Sequence, residues 1–109
     1  MLTNILTKVW SGNTVKEYKE LKGLKKENLR DNMTNVEMVL NMLAETSSTE
    51  IAKKRNPKGM VENTKTVIDG ATIAKNARKE LEKQTGEKVV SSKNANQIRQ
   101  LNSDKDEAI

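Results

Sequence analysis

No cysteine and no histidine occur in this 109-residue chain, and Phe is also missing. Without thiols there is no disulfide framework, no cysteine nucleophile and no zinc–thiolate site, and without imidazole there is no general base of the Ser-His-Asp kind. An enzyme would have to work with Lys, Asp, Glu, Tyr or Ser alone, so the composition points away from catalysis, metals and cofactors. One Trp and one Tyr are the only aromatics, which leaves almost nothing to stack on unpaired bases. The five Gly are too dispersed for a phosphate-cradling loop. Uninterrupted apolar runs reach at most three residues, so neither a membrane span nor a secretory signal is visible, and a cytoplasmic chain with no membrane partner is the expectation.

What is present is a thin core. Only 34% of residues are hydrophobic, against roughly 45–50% apolar, Gly included, in ordinary domains. Nine Leu, six Ile and eight Val make 23 of 109 residues, just above the roughly 20% level at which disorder becomes the default. So few large side chains fill one core, and the composition predicts a single α-helical domain over 1–101 with a flexible acidic tail at 102–109. Twenty basic residues against fifteen acidic give a net charge of +5. Such an excess favours anionic partners, although lysines on a solvated helix face serve solubility equally well.

The pattern along the chain predicts an all-α bundle of about five short to medium helices, one of them long and in the C-terminal half. Leu2, Ile5, Leu6, Val9 and Trp10 recur at helical spacing before Ser11-Gly12; this first helix either closes over the rest of the chain or follows another segment. Thr14 with Glu17 has capping-box spacing and opens a second helix, with Val15, Tyr18 and Leu21 on one side and Lys16, Lys19 and Lys22 among the residues that occupy the rest. Leu24 and Leu29 anchor a further turn or two. Thr34 and Glu37 repeat the box before Val36, Val39, Leu40, Met42 and Leu43, the predicted centre of the core. Ser47 and Glu50 offer another box, and with it a break near Thr46. Asn56-Pro57 ends that stretch. From Met60 to Gln84 a heptad-like stripe of small residues runs through Thr64, Val67, Ala71, Ala74, Arg78 and Leu81, with a kink allowed at Asp69-Gly70 and a stop at Gly86. A last weak helix is predicted through Ala95, Ile98 and Leu101.

Four groups are candidates for contact. Lys53, Lys54, Arg55 and Lys58 cluster around the Asn56-Pro57 turn, where they could meet DNA phosphates or an acidic partner, or simply offset the negative end of a helix dipole. Lys25, Lys26 and Arg30, with Lys22 beside them, alternate with Glu20, Glu27 and Asp31, the pattern of a solvated face or of a second binding surface. Lys75, Arg78, Lys79 and Lys83 lie on the long helix; Arg78 falls in the small-residue stripe, where it needs an internal partner if buried and marks a helix-packing surface if exposed. Met33, Met38 and Met42 suit either core or an adaptable surface. Trp10 on the first helix is the expected place for a contact that this chain does not itself complete.

The run GLKKENLRDNM from Gly23 to Met33, continued by Thr34, Glu37, Leu40, Asn41, Met42, Leu43, Ala44 and Glu45, together with IAKNARKELEKQTGEKVVSSKNA from Ile73 to Ala95, resembles the C-terminal region of the DNA-damage-inducible protein D family. That region also occurs attached to BRO-type N-terminal domains in prophage antirepressor-like proteins. The resemblance extends roughly from Val9 to Leu101. It departs at Met60, where a larger aromatic is expected before Glu62-Asn63, and at Asp69-Gly70, where a double glycine is expected. It implies a helical, non-enzymatic protein of the bacterial SOS response to DNA damage, acting on a recombinase filament or a repressor, and an upstream BRO-type domain that this chain lacks. It assigns no site residues. A homo-oligomer, a missing N-terminal domain or a protein partner would each complete the thin core. Direct DNA binding as an accessory domain of an antirepressor-like regulator is the alternative, and a decayed gene fragment is the third reading.

Overall fold

The computed structural model describes residues 2–93, and among them the chain is all helical, with four α-helices. They are α1 (Leu2–Ser11), α2 (Val15–Leu21), α3 (Asn35–Arg55) and α4 (Gly59–Thr85), with a 3-10 turn at Arg30–Asn32. The predicted helix through Ala95, Ile98 and Leu101 and the acidic tail lie outside the described residues. No described helix is long and apolar enough to cross a membrane.

Two of the predicted boundaries follow directly from side-chain chemistry. At Thr14 and again at Thr34 the hydroxyl accepts from the amide three residues on, while the glutamate there returns a bond to the Thr amide. Each box satisfies two backbone groups that a helix start leaves orphaned. Asn56 takes the left-handed conformation (φ 49°) before Pro57, and Gly86 closes α4 in the same way (φ 73°).

Three local expectations are corrected. The break near Thr46 does not form: α3 runs unbroken for 21 residues, and Ser48 sends its hydroxyl toward the Val67 carbonyl of α4 (3.4 Å). The kink at Gly70 is absent as well, because α4 runs unbroken for 27 residues and Gly70 is instead the point where α4 meets α3. The stretch after Leu24 is not a helix of its own; Leu29 is buried there beside the short 3-10 turn.

Helices α3 and α4 form an antiparallel hairpin around the Asn56-Pro57-Lys58 turn. Their approach is close at Gly70, where an added Cβ would stand 2.5 Å from the Ser48 Cα and N. Ala44, Ala71 and Ala74 are fully buried, and such small side chains let helix axes come near one another. Helix α1 packs chiefly on α4 and touches α3, and α2 follows it. The core is completed by Leu6, Trp10, Tyr18, Leu29, Met33 and Leu40; the Trp10 and Tyr18 rings meet at a centroid distance of 6.1 Å and an angle of 57°, a tilted aromatic pair. The predicted centre of the core is therefore only half right. Leu40 is buried and Leu43 packs at the core's edge, whereas Val36, Val39 and Met42 are exposed.

Candidate interaction surfaces

The most concentrated polar chemistry in the molecule is a buried node that the sequence pattern hides. Lys22, grouped by its spacing with a solvated face, is four residues after Tyr18 and shares its inward side; both side chains are sealed from solvent, as is Glu37. The Lys22 ammonium donates to Glu37 Oε1 at 2.6 Å, to the Ser91 carbonyl at 3.0 Å and to the Lys93 carbonyl. Glu37 also accepts from the Tyr18 hydroxyl and from the Thr34 amide at 2.9 Å. Desolvation, then the hydrogen bond to Glu37, pushes the Tyr18 phenol far above its ordinary range. The Lys22 nitrogen also stands 5.6 Å from the Tyr18 ring centroid, within cation–π reach.

Every Lys22 donor is used, and no buried side-chain polar atom among the described residues lacks a partner. The Tyr18 hydroxyl and the Lys22 ammonium both spend their protons within the protein. The node's work is structural: one glutamate caps α3, holds α2 through Tyr18 and Lys22, and through Lys22 holds the 91–93 segment. The usable signal in the sequence was the pairing of Tyr18 with Lys22 at i, i+4 opposite a glutamate already committed to a cap.

Trp10 is corrected from an open contact to a closed one. It is 0% exposed, donates from Nε1 to Asn41 Oδ1 at 3.1 Å, and its carbonyl accepts from Arg78 Nε at 2.7 Å. Arg78 completes itself on Glu82 (2.9 Å), whose other oxygen takes the Val89 amide. Helix α1 thus closes over this chain, and Arg78 has internal partners in place of an outer surface.

The turn cluster is brought together but partly neutralised. Lys53 pairs with Glu50 (3.2 Å), and Arg55 with Asp69 across the hairpin (2.7 Å). That hydrogen bond from Arg55 holds the Asp69 carboxyl below its ordinary range. Lys54 and Lys58 are exposed with no carboxylate in ion-pair reach among the described residues. Lys25 and Lys26 are exposed in the irregular stretch, and Arg30 is tied to Glu45 of α3 (3.2 Å), so these three are not gathered with the turn cluster.

An apolar surface remains. Asn35, Val36, Val39, Leu40 and Leu81 line a cavity of about 300 Å³ between the start of α3 and the end of α4. Val39 is 62% exposed and Val36 44%, and Ile73, two turns before Leu81 on α4, is 46% exposed. No family model, curated protein or solved structure matches this chain. Of the three methionines, Met33 is buried, Met38 packs against the core and Met42 is exposed, close in sequence to Val39.

Proposed function

We propose that this chain is a non-enzymatic, cytoplasmic interaction module of the DNA-damage response, which modulates a recombinase filament or a repressor by taking an amphipathic helix of that partner against the α3/α4 face. The observation that carries the reading is the Val36, Val39, Leu40 and Leu81 cavity, an apolar groove between two helix ends that no described helix covers. A groove of that kind suits the apolar stripe of a helix, with anchors one turn apart. The resemblance of Gly23–Met33 and Ile73–Ala95 to the DNA-damage-inducible protein D family supports the choice of partner.

The test is binding of the full chain to a purified bacterial recombinase filament on labelled single-stranded DNA, with a phage repressor assayed in parallel. Val36→Asp with Val39→Asp should weaken binding at least tenfold while leaving the melting temperature near wild type, because both positions are exposed. Binding of neither partner, or binding indifferent to the double substitution, refutes the reading.

An accessory DNA-binding role, as in antirepressor-like regulators, is favoured by a separate observation. Lys75, Lys79 and Lys83 of α4 stand without acidic partners among the described residues.

A further inference from the structure

Helix α4 carries Lys75, Lys79 and Lys83 at successive i, i+4 positions, so their side chains emerge in one row along the helix. The buried residues of α4 are Thr66, Gly70, Ala71 and Ala74; Lys79 and Lys83 are exposed and Lys75 half-buried. None of the three lies within ion-pair distance of a carboxylate among the described residues. The four carboxylates of α4 itself are engaged elsewhere. Glu62 accepts from the Lys58 amide, Asp69 from Arg55, Glu80 from Gln84, and Glu82 from Arg78 and the Val89 amide. Arg78, adjacent in sequence, is turned inward to the Trp10 carbonyl, which leaves a row of lysines alone.

We infer that this row is a docking surface for the phosphate backbone of duplex DNA, independent of base sequence. This rests on the accessory DNA-binding reading above and not on the apolar groove. From Lys75 to Lys83 the helix rises about 12 Å, and one strand of a duplex carries a phosphate per about 3.4 Å of its axis, so about three to four phosphates fall within that length. Three ammonium groups thus meet a commensurate number of charges. Duplex is favoured over single strands because base stacking needs exposed rings, and both Trp10 and Tyr18 are sealed in the core. The row replaces the turn cluster as the main electrostatic site, since Lys53 and Arg55 already have acidic partners.

The experiment is an anisotropy titration of the full chain with two labelled duplexes of unrelated sequence over a series of salt concentrations. Three phosphate contacts give a slope of log affinity against log salt of about −2.7. Lys75→Gln, Lys79→Gln and Lys83→Gln together should remove most of that slope and weaken low-salt binding at least tenfold, with helix content and melting unchanged. The corresponding three Lys→Arg substitutions should keep both. Val36→Asn with Val39→Asn, which strips the groove of apolar contacts without changing the charge, should bind DNA as wild type does, so that failure of the groove and failure of the row are read separately. The inference is overturned by an absence of DNA binding at low salt, by a slope that survives the Gln substitutions, or by loss of binding only when Lys53, Lys54, Arg55 and Lys58 are replaced. More than tenfold preference between the two duplexes, or equal competition by polyglutamate at matched charge, overturns it too, the latter assigning the row to an acidic protein.

Discussion

Replacing Gly70 with Ala sets two physical effects of opposite sign against each other. In an isolated helix the change gains about 1 kcal/mol, because Gly costs that much relative to Ala in a helix interior. In this fold the added Cβ would come within 2.5 Å of the Ser48 Cα and N, a separation that real Cβ atoms do not tolerate. Those neighbours are backbone, so no rotamer change relieves the clash, and α3 and α4 must move apart. Overpacking of a close-packed interior costs about 1–3 kcal/mol, and a backbone clash belongs at the upper end. The net expectation is a loss of about 2 kcal/mol, which for a domain of this size lowers the melting temperature by roughly 8–16 °C. Thermal melting followed by circular dichroism reads it directly. Adding Ser48→Gly removes the Ser48 hydroxyl but leaves its Cα and N in place, so that double variant should recover little. A Gly70→Ala protein that melts at or above the wild-type temperature would refute the close approach and restore the simple propensity argument.

Other expectations concern the buried polar groups. Lys22→Met leaves Glu37 buried without its cation and should destabilise by about 3–5 kcal/mol; combining it with Glu37→Leu and Tyr18→Phe should lose less than the single change, and chemical denaturation measures both. Tyr18 has its folded-state ionisation raised, so the stability it contributes is full below the unfolded value of 10.0 and is lost as pH rises beyond it. Because it is the only Tyr, tyrosinate absorbance should appear only together with loss of helix in an alkaline titration. Tyrosinate forming ahead of unfolding would count against the sealed node. Trp10→Ala should cost about 3–5 kcal/mol, and the single Trp should resist fluorescence quenching by acrylamide until the chain unfolds; ready quenching in the native protein would mean that α1 is not docked.

Much of the local structure was legible because its causes are local. Thr14 with Glu17 and Thr34 with Glu37 mark helix starts through bonds spanning three residues, and Asn56-Pro57 and Gly86 mark ends through their own backbone preferences. Ser47 with Glu50 carries the same spacing and caps nothing. There the helix simply continues, since a box forms only where the chain has reason to enter a helix, and Ser48 is drawn instead to α4. The site was less legible. Periodicity correctly placed Val36, Val39 and Leu40 on a helix, yet it could not say which side of α3 would be covered, and the structure covers Leu40 while leaving Val36 and Val39 exposed. Charge counting put Lys22 in solvent because its neighbours alternate in sign. Its burial depends on a glutamate fifteen residues away and on carbonyls about seventy residues away.

By itself the sequence determined that this protein is helical, that its core is small, and that thiol and imidazole chemistry are closed to it. Those properties depend on residue types and on spacings of three to four, which act within a single helix. The tertiary structure alone decided which lysine is sealed in the interior and which stand in a row on α4 without acidic partners among the described residues. It also turned Trp10 inward, where Asn41 of α3 and Arg78 of α4 supply the contact for which an outside partner was expected. Each of these is a competition between desolvation and long-range pairing, and its outcome depends on groups that only the folded chain brings within hydrogen-bonding distance.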